Sequence, residues 1–273
     1  MRATGFLPIL ILAPFAAAWP AWAVPALAPH RAVYDLTLEE ASDRSGITGL
    51  SGRMVYEFNG SACEGYTVNF RFVTQINTSE ASRLTDQQTT TFEDAAGKSF
   101  SFVTKSFVDR NLDKEVKGTA TLGSSGLKVD LDKPEQNTIA LARTQFPTQH
   151  LIELINKAET GETFYETNLF DGSEEADQVM TTTVIVGKKS GAKTGDPESE
   201  VLKDLAAEPF WPVDIAYFSD GGKGGEEIPQ YRISFKLHPN GLTRDLVMDY
   251  GDFSMTGKLV NLALFNKPAK ACP

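Results

Sequence analysis

The stretch Tyr66-Thr67-Val68-Asn69-Phe70-Arg71-Phe72-Val73-Thr74-Gln75-Ile76 decides how this chain folds. Tyr66, Val68, Phe70, Phe72 and Ile76 fall on one side of an extended ribbon, and Thr67, Asn69, Arg71 and Gln75 fall on the other. That is the period-two pattern of a strand with one buried and one wet face. It is also the antiparallel style, because strands of parallel sheets are covered on both faces and read as continuous apolar runs. The pattern recurs at Ala32, Tyr34, Leu36 and Leu38, and at Val116, Ala120 and Leu122 against Glu115, Lys117, Thr119 and Thr121. It recurs again at Tyr231, Ile233, Phe235 and Leu237 against Arg232, Ser234, Lys236 and His238.

Further strands are expected near 48–58, 83–93, 99–109, 126–131, 162–169, 177–187, 213–218, 242–249 and 252–264. Pro239-Asn240-Gly241 and Gly123-Ser124-Ser125-Gly126 are turn signals that join neighbouring strands as hairpins. One helix stands out: Leu151, Leu154, Ile155 and Ala158 follow helical spacing, Pro147 suits the first turn, Thr148 is placed to cap, and Gly161 suits the stop. A single amphipathic helix among a dozen strands must bury its stripe against the hollow of a curved sheet. The expected fold is therefore mainly β: long antiparallel strands in a curved sheet or partial barrel around one amphipathic helix. Gly187–Glu200 and Ser219–Glu227, rich in Gly, Lys and Ser, read as exposed loops.

The first residues set the compartment. Met1-Arg2 is a short positive start, Phe6–Ala18 is almost wholly apolar, and Ala21-Trp22-Ala23 offers small residues where a signal peptidase reads. Residues 1–23 are expected to be a cleaved secretory signal and 24–273 a single exported β domain, placed in a bacterial periplasm. With 26 basic against 36 acidic residues the net charge is −10, which repels phosphate backbones and makes nucleic acid a poor partner. Two cysteines, Cys63 and Cys272, form an even count in an exported chain and suggest a structural disulfide; two free thiols or a redox pair are the alternatives, although Cys-x-x-Cys spacing is absent.

No motif points to catalysis. His30, His150 and His238 have no metal-ligand spacing, and neither a Gly-x-Ser-x-Gly elbow nor a phosphate-binding or dinucleotide glycine loop is present. Glu174-Glu175 and Glu226-Glu227 lie in loop-like segments where solvated charge is the ordinary role. No enzyme activity, cofactor or metal is expected. His150, in the first turn of the helix, is the sharpest polar candidate; a structural hydrogen bond is its plainer role and ligand contact its functional one. Aromatics such as those in Phe210-Trp211-Pro212-Val213-Asp214-Ile215-Ala216-Tyr217-Phe218 either form core or line an apolar cavity. Phe146, His150, Leu151, Trp211 and Tyr217 are the candidate contacts for a ligand or partner.

Four strings carry a resemblance when taken in order: Ala28-Pro29-His30-Arg31-Ala32-Val33-Tyr34-Asp35-Leu36, Phe146-Pro147-Thr148-Gln149-His150, the Phe210–Phe218 segment, and Asn240-Gly241-Leu242-Thr243-Arg244-Asp245-Leu246-Val247-Met248-Asp249-Tyr250-Gly251-Asp252-Phe253. Together they resemble the EipB family of periplasmic cell-envelope integrity proteins, from about residue 28 to Cys272. The resemblance implies a β-spiral half-barrel with a helix in its opening, similar in shape to the periplasmic lipoprotein carrier and the outer-membrane lipoprotein receptor. It implies a disulfide mapping onto Cys63 and Cys272, a role in envelope stability and stress tolerance, and a periplasmic tetratricopeptide-repeat partner. No catalytic residues come with it. The expectation is a non-catalytic periplasmic protein that supports envelope integrity by binding a protein partner; the alternative is a carrier of a lipid or acyl chain in the concave face. An exposed strand edge offers a further route to a partner, by strand addition.

Overall fold

The computed structural model describes residues 26–173, 175–191, 194–219 and 228–265. The expected signal at 1–23, Cys272 and nearly all of the 219–227 loop lie outside the described residues. The chain lays down β1 (His30–Ala41), β2 (Ile47–Ser61), β3 (Gly65–Thr78), β4 (Ser82–Glu93), β5 (Ser99–Val108), β6 (Asn111–Gly123), β7 (Gly126–Lys133) and β8 (Asn137–Leu141). After these come the helix α1 (Pro147–Thr160), β9 (Phe164–Leu169), β10 (Met180–Val186) and a short helix α2 (Ser199–Leu202). The chain then finishes with β11 (Trp211–Ser219), β12 (Tyr231–Leu237), β13 (Thr243–Asp249) and β14 (Phe253–Leu264).

All fourteen strands form one sheet in the order β8-β7-β6-β5-β4-β3-β2-β1-β14-β13-β12-β11-β10-β9. Every pairing but β1 with β14 joins strands adjacent in sequence, so the two ends of the described chain meet in the middle of the sheet. The two open edges, β8 and β9, come from the middle of the chain and flank α1. The sheet curls without closing, as the alternation implied: Ala32, Tyr34 and Leu36 on β1 are buried on the same inner face as Met54 and Phe58 on β2.

Two apolar cores fill the concave side. The larger gathers inner-face residues of β1, β2 and β9–β14 around Leu154, Ile155 and Ala158 of α1. The smaller gathers Phe100, Phe102, Val116, Ala120, Leu127 and Val129 from β5–β7 and is covered from above by Phe146 and Phe170. Phe146 stacks on Phe100 at 5.1 Å, and Phe170 meets Phe102 edge-on at 5.8 Å. Gly172 must be glycine here: its φ is +70°, and a Cβ would lie 2.7 Å from the Phe102 ring. Between the cores the inner row of β4 is polar. Thr85 bonds Thr74 (2.6 Å) and Thr89 bonds Thr104 (3.0 Å), so a stripe of paired hydroxyls divides one apolar cluster from the other.

Three details depart from expectation. Thr148 does not cap α1: the N-cap position is Phe146, without a side-chain cap, and the carboxylate of Glu93 at the end of β4 accepts the backbone N–H groups of Thr148 (2.8 Å) and Gln149 (3.1 Å). A charged acceptor complements the positive end of the helix dipole better than a hydroxyl. Gly187–Glu200 is not simply an exposed loop, because Asp196 and Glu198 are turned inward with side chains 4% and 2% exposed. Strand β8 and helix α2 are additional elements.

Candidate functional site

The structure does not gather the five candidate residues into one pocket. Trp211 is buried in the larger core, and Lys189 sits 4.2 Å over its ring. Tyr217 is buried too and stacks on its register partner Tyr231 at 4.2 Å, with planes 11° apart. That stack continues through Tyr250 (6.1 Å) to Phe253 (5.1 Å), so an aromatic staircase climbs from core to rim. Leu151 is half-buried against the larger core, whereas Phe146 belongs wholly to the smaller one. His150 is buried beneath α1, with Nε2 3.4 Å from the Thr182 hydroxyl, which itself donates to the Thr167 carbonyl at 3.0 Å. Burial pushes His150 down to about 4, so the ring is neutral at ordinary pH and makes a helix-to-sheet contact.

The densest ionisable cluster is elsewhere. Arg244 on β13 is fully buried; its Nη1 donates to Asp196 Oδ2 (2.9 Å) and Glu198 Oε2 (3.1 Å), and its Nε donates to His238 Nε2 (3.1 Å). The Phe210 ring lies 5.0 Å from the guanidinium. Glu198 Oε1 accepts the backbone N–H of Leu259 on β14 (2.7 Å) and of Asp245 (3.3 Å). The β13–β14 ladder begins only at Leu246 opposite Gly257, and Asp245 has φ +53°. The carboxylate therefore takes over where the ladder gives out. Burial, reinforced by Arg244, pushes His238 down to about 4, which leaves its Nε2 free to accept from the arginine. Burial works to raise the Asp196 carboxyl, but hydrogen bonds from the Glu198 amide and Arg244 hold it below the usual range. Buried charges persist when paired and hydrogen-bonded, and here both carboxylates serve the protein's own backbone and arginine. His238 Nδ1 and Arg244 Nη2 have no hydrogen-bond partner among the described residues.

Sequence reading missed this cluster, although a signal for it existed. Along the sequence Arg244 keeps step with Leu246 and Met248, and an arginine at an apolar position of an alternating strand demands buried carboxylates; the irregularity at Asp245 then sets it opposite Lys236. Glu93 is a parallel case: it lies opposite Tyr66 and Phe100, on the buried face of β4. Desolvation raises its pKa against the pull of the two helix amides.

A surface hollow runs along β9 and onto β10. It is a polar cleft of about 500 Å³ lined by Arg143, Thr144 and Gln145, by Glu153 of α1, by Glu166, Thr167 and Asn168 of β9, and by Thr181 of β10. Gln145 closes one end: it forms a parallel bridge with Leu169, and its side chain donates to Glu153 (2.6 Å) and Thr167 (2.8 Å). Among the described residues no three His, Cys, Asp or Glu side chains group to hold a metal ion, no helix is long and apolar enough to cross a membrane, and no cysteine is free. Cys63 is half-buried in the β2–β3 turn.

An open antiparallel half-barrel, plugged by its own helix and clasped by buried carboxylates, defines a β-barrel-like protein without a converging catalytic cluster among the described residues. The chain belongs to the EipB-like family, whose sequence model matches residues 21–266. It is 56% identical over 259 residues to the cell envelope integrity protein EipB of Brucella abortus (strain 2308), spanning 94% of this chain and 91% of that protein. The crystal structure of a beta-barrel-like protein, a domain of unknown function from Brucella abortus, matches with a TM-score of 0.85 and 58% identity, over 88% of this chain and 99% of that one. The half-barrel and the family resemblance both hold.

Proposed function

We propose that this protein is a non-catalytic periplasmic factor that supports cell-envelope integrity and stress resistance by engaging a protein partner, with a tetratricopeptide-repeat protein as the partner type the family resemblance implies. The observation that carries this reading is the 56% identity, over nearly the whole chain, to a protein named for envelope integrity. The commitment of Glu93, Asp196, Glu198 and Arg244 to internal bonds supports the non-catalytic part. Deleting the gene is expected to sensitise cells to detergent and cell-wall antibiotics, with rescue by the exported chain and not by one lacking residues 1–23. Unchanged sensitivity sinks the proposal. Crosslinking in the periplasm tests for the partner.

Half-exposure of Phe70 and Phe72, on the inner face of β3 beside the hydroxyl stripe, favours a second reading: carriage of a lipid or acyl chain. Lipid copurifying without detergent supports it; a clean protein counts against it.

A Cys63–Cys272 disulfide completes the proposal. His30 pairs with both Phe58 of β2 and Leu264 of β14, so the β2–β3 turn holding Cys63 and the end of β14 lie at the same end of the sheet. Closing a loop of this length is worth up to about 5 kcal/mol in the chain-entropy model. Cys63→Ser should lower the melting temperature; equality with the oxidised parent excludes a stabilising link.

A further inference from the structure

We propose that the open edge of β9 captures a short extended peptide from another protein by strand addition, with an apolar side chain beside Phe164 and a basic one beside Glu166. This deepens the partner-binding reading above and rests on it for the biological setting, but the contact itself is read from β9.

The backbone gives the first argument. Val186 donates to the Thr163 carbonyl at 2.9 Å, and strand geometry then turns the N–H and C=O groups of Tyr165, Thr167 and Leu169 toward β10. Phe164, Glu166 and Asn168 turn theirs the other way. Gln145 shows what this edge accepts: its N–H reaches the Asn168 carbonyl (3.5 Å), and its carbonyl accepts the N–H of Phe170 (3.0 Å). The chain then departs, and Thr144 and Arg143 form the far wall of the 500 Å³ cleft. Beyond Gln145, no strand among the described residues pairs with this edge. A row of unmet backbone groups beside a cleft is the template that an extended peptide satisfies.

Side chains choose the occupant. Phe164, Glu166 and Asn168 alternate on one exposed face, and Phe164 (56% exposed) pairs across the ladder with Ile185 (50% exposed). An apolar residue of an added strand extends that pair, since cross-strand apolar neighbours stabilise sheets. Glu166 and the net charge of −10 select a basic neighbour. A second copy of this chain is disfavoured, because opposing two β9 edges sets acidic side chains against each other.

The probe is the capped peptide Thr-Val-Thr-Lys-Thr-Val-Thr, which presents the pattern in either direction, added to the isotope-labelled mature protein. The expected result is chemical-shift change confined to β9 and residues 143–145, with at least tenfold slower exchange of the Glu166 amide. The same peptide N-methylated at alternate amides should not bind. Glu166→Pro removes an outward N–H while sparing the β9–β10 ladder and should weaken binding at least tenfold. If that variant misfolds, Glu166→Lys serves: it should reverse preference toward a Glu-containing probe. Equal binding of the N-methylated peptide, shifts elsewhere, no shift at millimolar probe, or dimerisation through β9 overturns the proposal. Envelope phenotypes do not enter this measurement, so it and the preceding proposal fail separately.

Discussion

The half-barrel has two seams, and they are built in opposite ways. At β1–β14 the ends of the described chain are zipped from His30–Leu264 to Ala41–Phe253. Ala32, Tyr34, Leu36 and Leu259 are sealed beneath them, the Tyr34 hydroxyl reaches the Thr243 carbonyl (2.6 Å), and Glu198 holds the Leu259 amide. At β8–β9 the strands are far closer in sequence, yet they do not pair: Gln145 makes one backbone bridge and one side-chain bond to β9, and Phe170, just beyond β9, packs on Phe100 and Phe102 of the smaller core. Loop-closure entropy would favour the opposite result. The difference teaches that burial, not proximity, decides closure. The segment between β8 and β9 is directed inward as α1 to fill the core, and the edges on either side of it are left apart. Low-stability elements are where proteins place recognition.

The closed seam breaks most severely at Arg244. Arg244→Leu leaves Glu198 buried without its cation and Asp196 with only Lys236 at 3.7 Å, and removing one partner of a buried pair costs about 3–5 kcal/mol. The urea midpoint should fall accordingly, and exchange at the Leu259 amide should accelerate. Adding Glu198→Gln should recover part of the loss, because the stranded charge goes with it. Strict additivity of the two changes would mean that the carboxylate and the arginine do not act together.

Acid should loosen the packing around two buried histidines. An unfolded histidine takes up its proton near pH 6.5, whereas buried His150 and His238 wait until about 4. Between those values the unfolded chain binds more protons. Stability is therefore complete above pH 6.5 and falls toward pH 4, by on the order of 3 kcal/mol for His150. Glu93 has the opposite sign: its raised pKa lets the native state take a proton first, which adds stability as pH falls. Unfolding measured across this range should have a shallower slope in His150→Gln and a steeper one in Glu93→Gln. The same slope in both variants would contradict this assignment.

What sequence could reveal follows from the range of each signal. Strand alternation is local, so β1, β3 and β12 were legible from Tyr34, Phe70 and Ile233, and α1 was legible from Leu151, Leu154, Ile155 and Ala158. Strand β8 is five residues long, with Ile139 and Leu141 its only strongly apolar members, too few to establish a period. The helix cap was hidden because Glu93 lies 55 positions before Thr148. The arginine cluster was hidden because its carboxylates sit 48 and 46 positions away, inside a stretch whose glycines and lysines resemble a surface loop. Trp211 and Tyr217 were visible as aromatics; that both pack into the core rather than line a cavity depends on a register that no local pattern records.

The smallest expected effect sharpens the comparison from the other side. Gln145→Ala removes two side-chain bonds, to Glu153 and Thr167, but leaves the backbone bridge to β9 in place. Both bonds border a cleft open to water, so solvent replaces much of what is lost, and a net cost of about 1 kcal/mol is expected. Amides of Glu166 and Asn168 should exchange through local fraying in parent and variant alike, while those of β1 and β14 should exchange only on global unfolding. Denaturant titration with residue-resolved exchange separates the outcomes. If Gln145→Ala destabilises as much as Arg244→Leu, or if β9 edge amides are as protected as those of β1, the open seam is a load-carrying closure, and neither the contrast between the seams nor a recruiting edge survives.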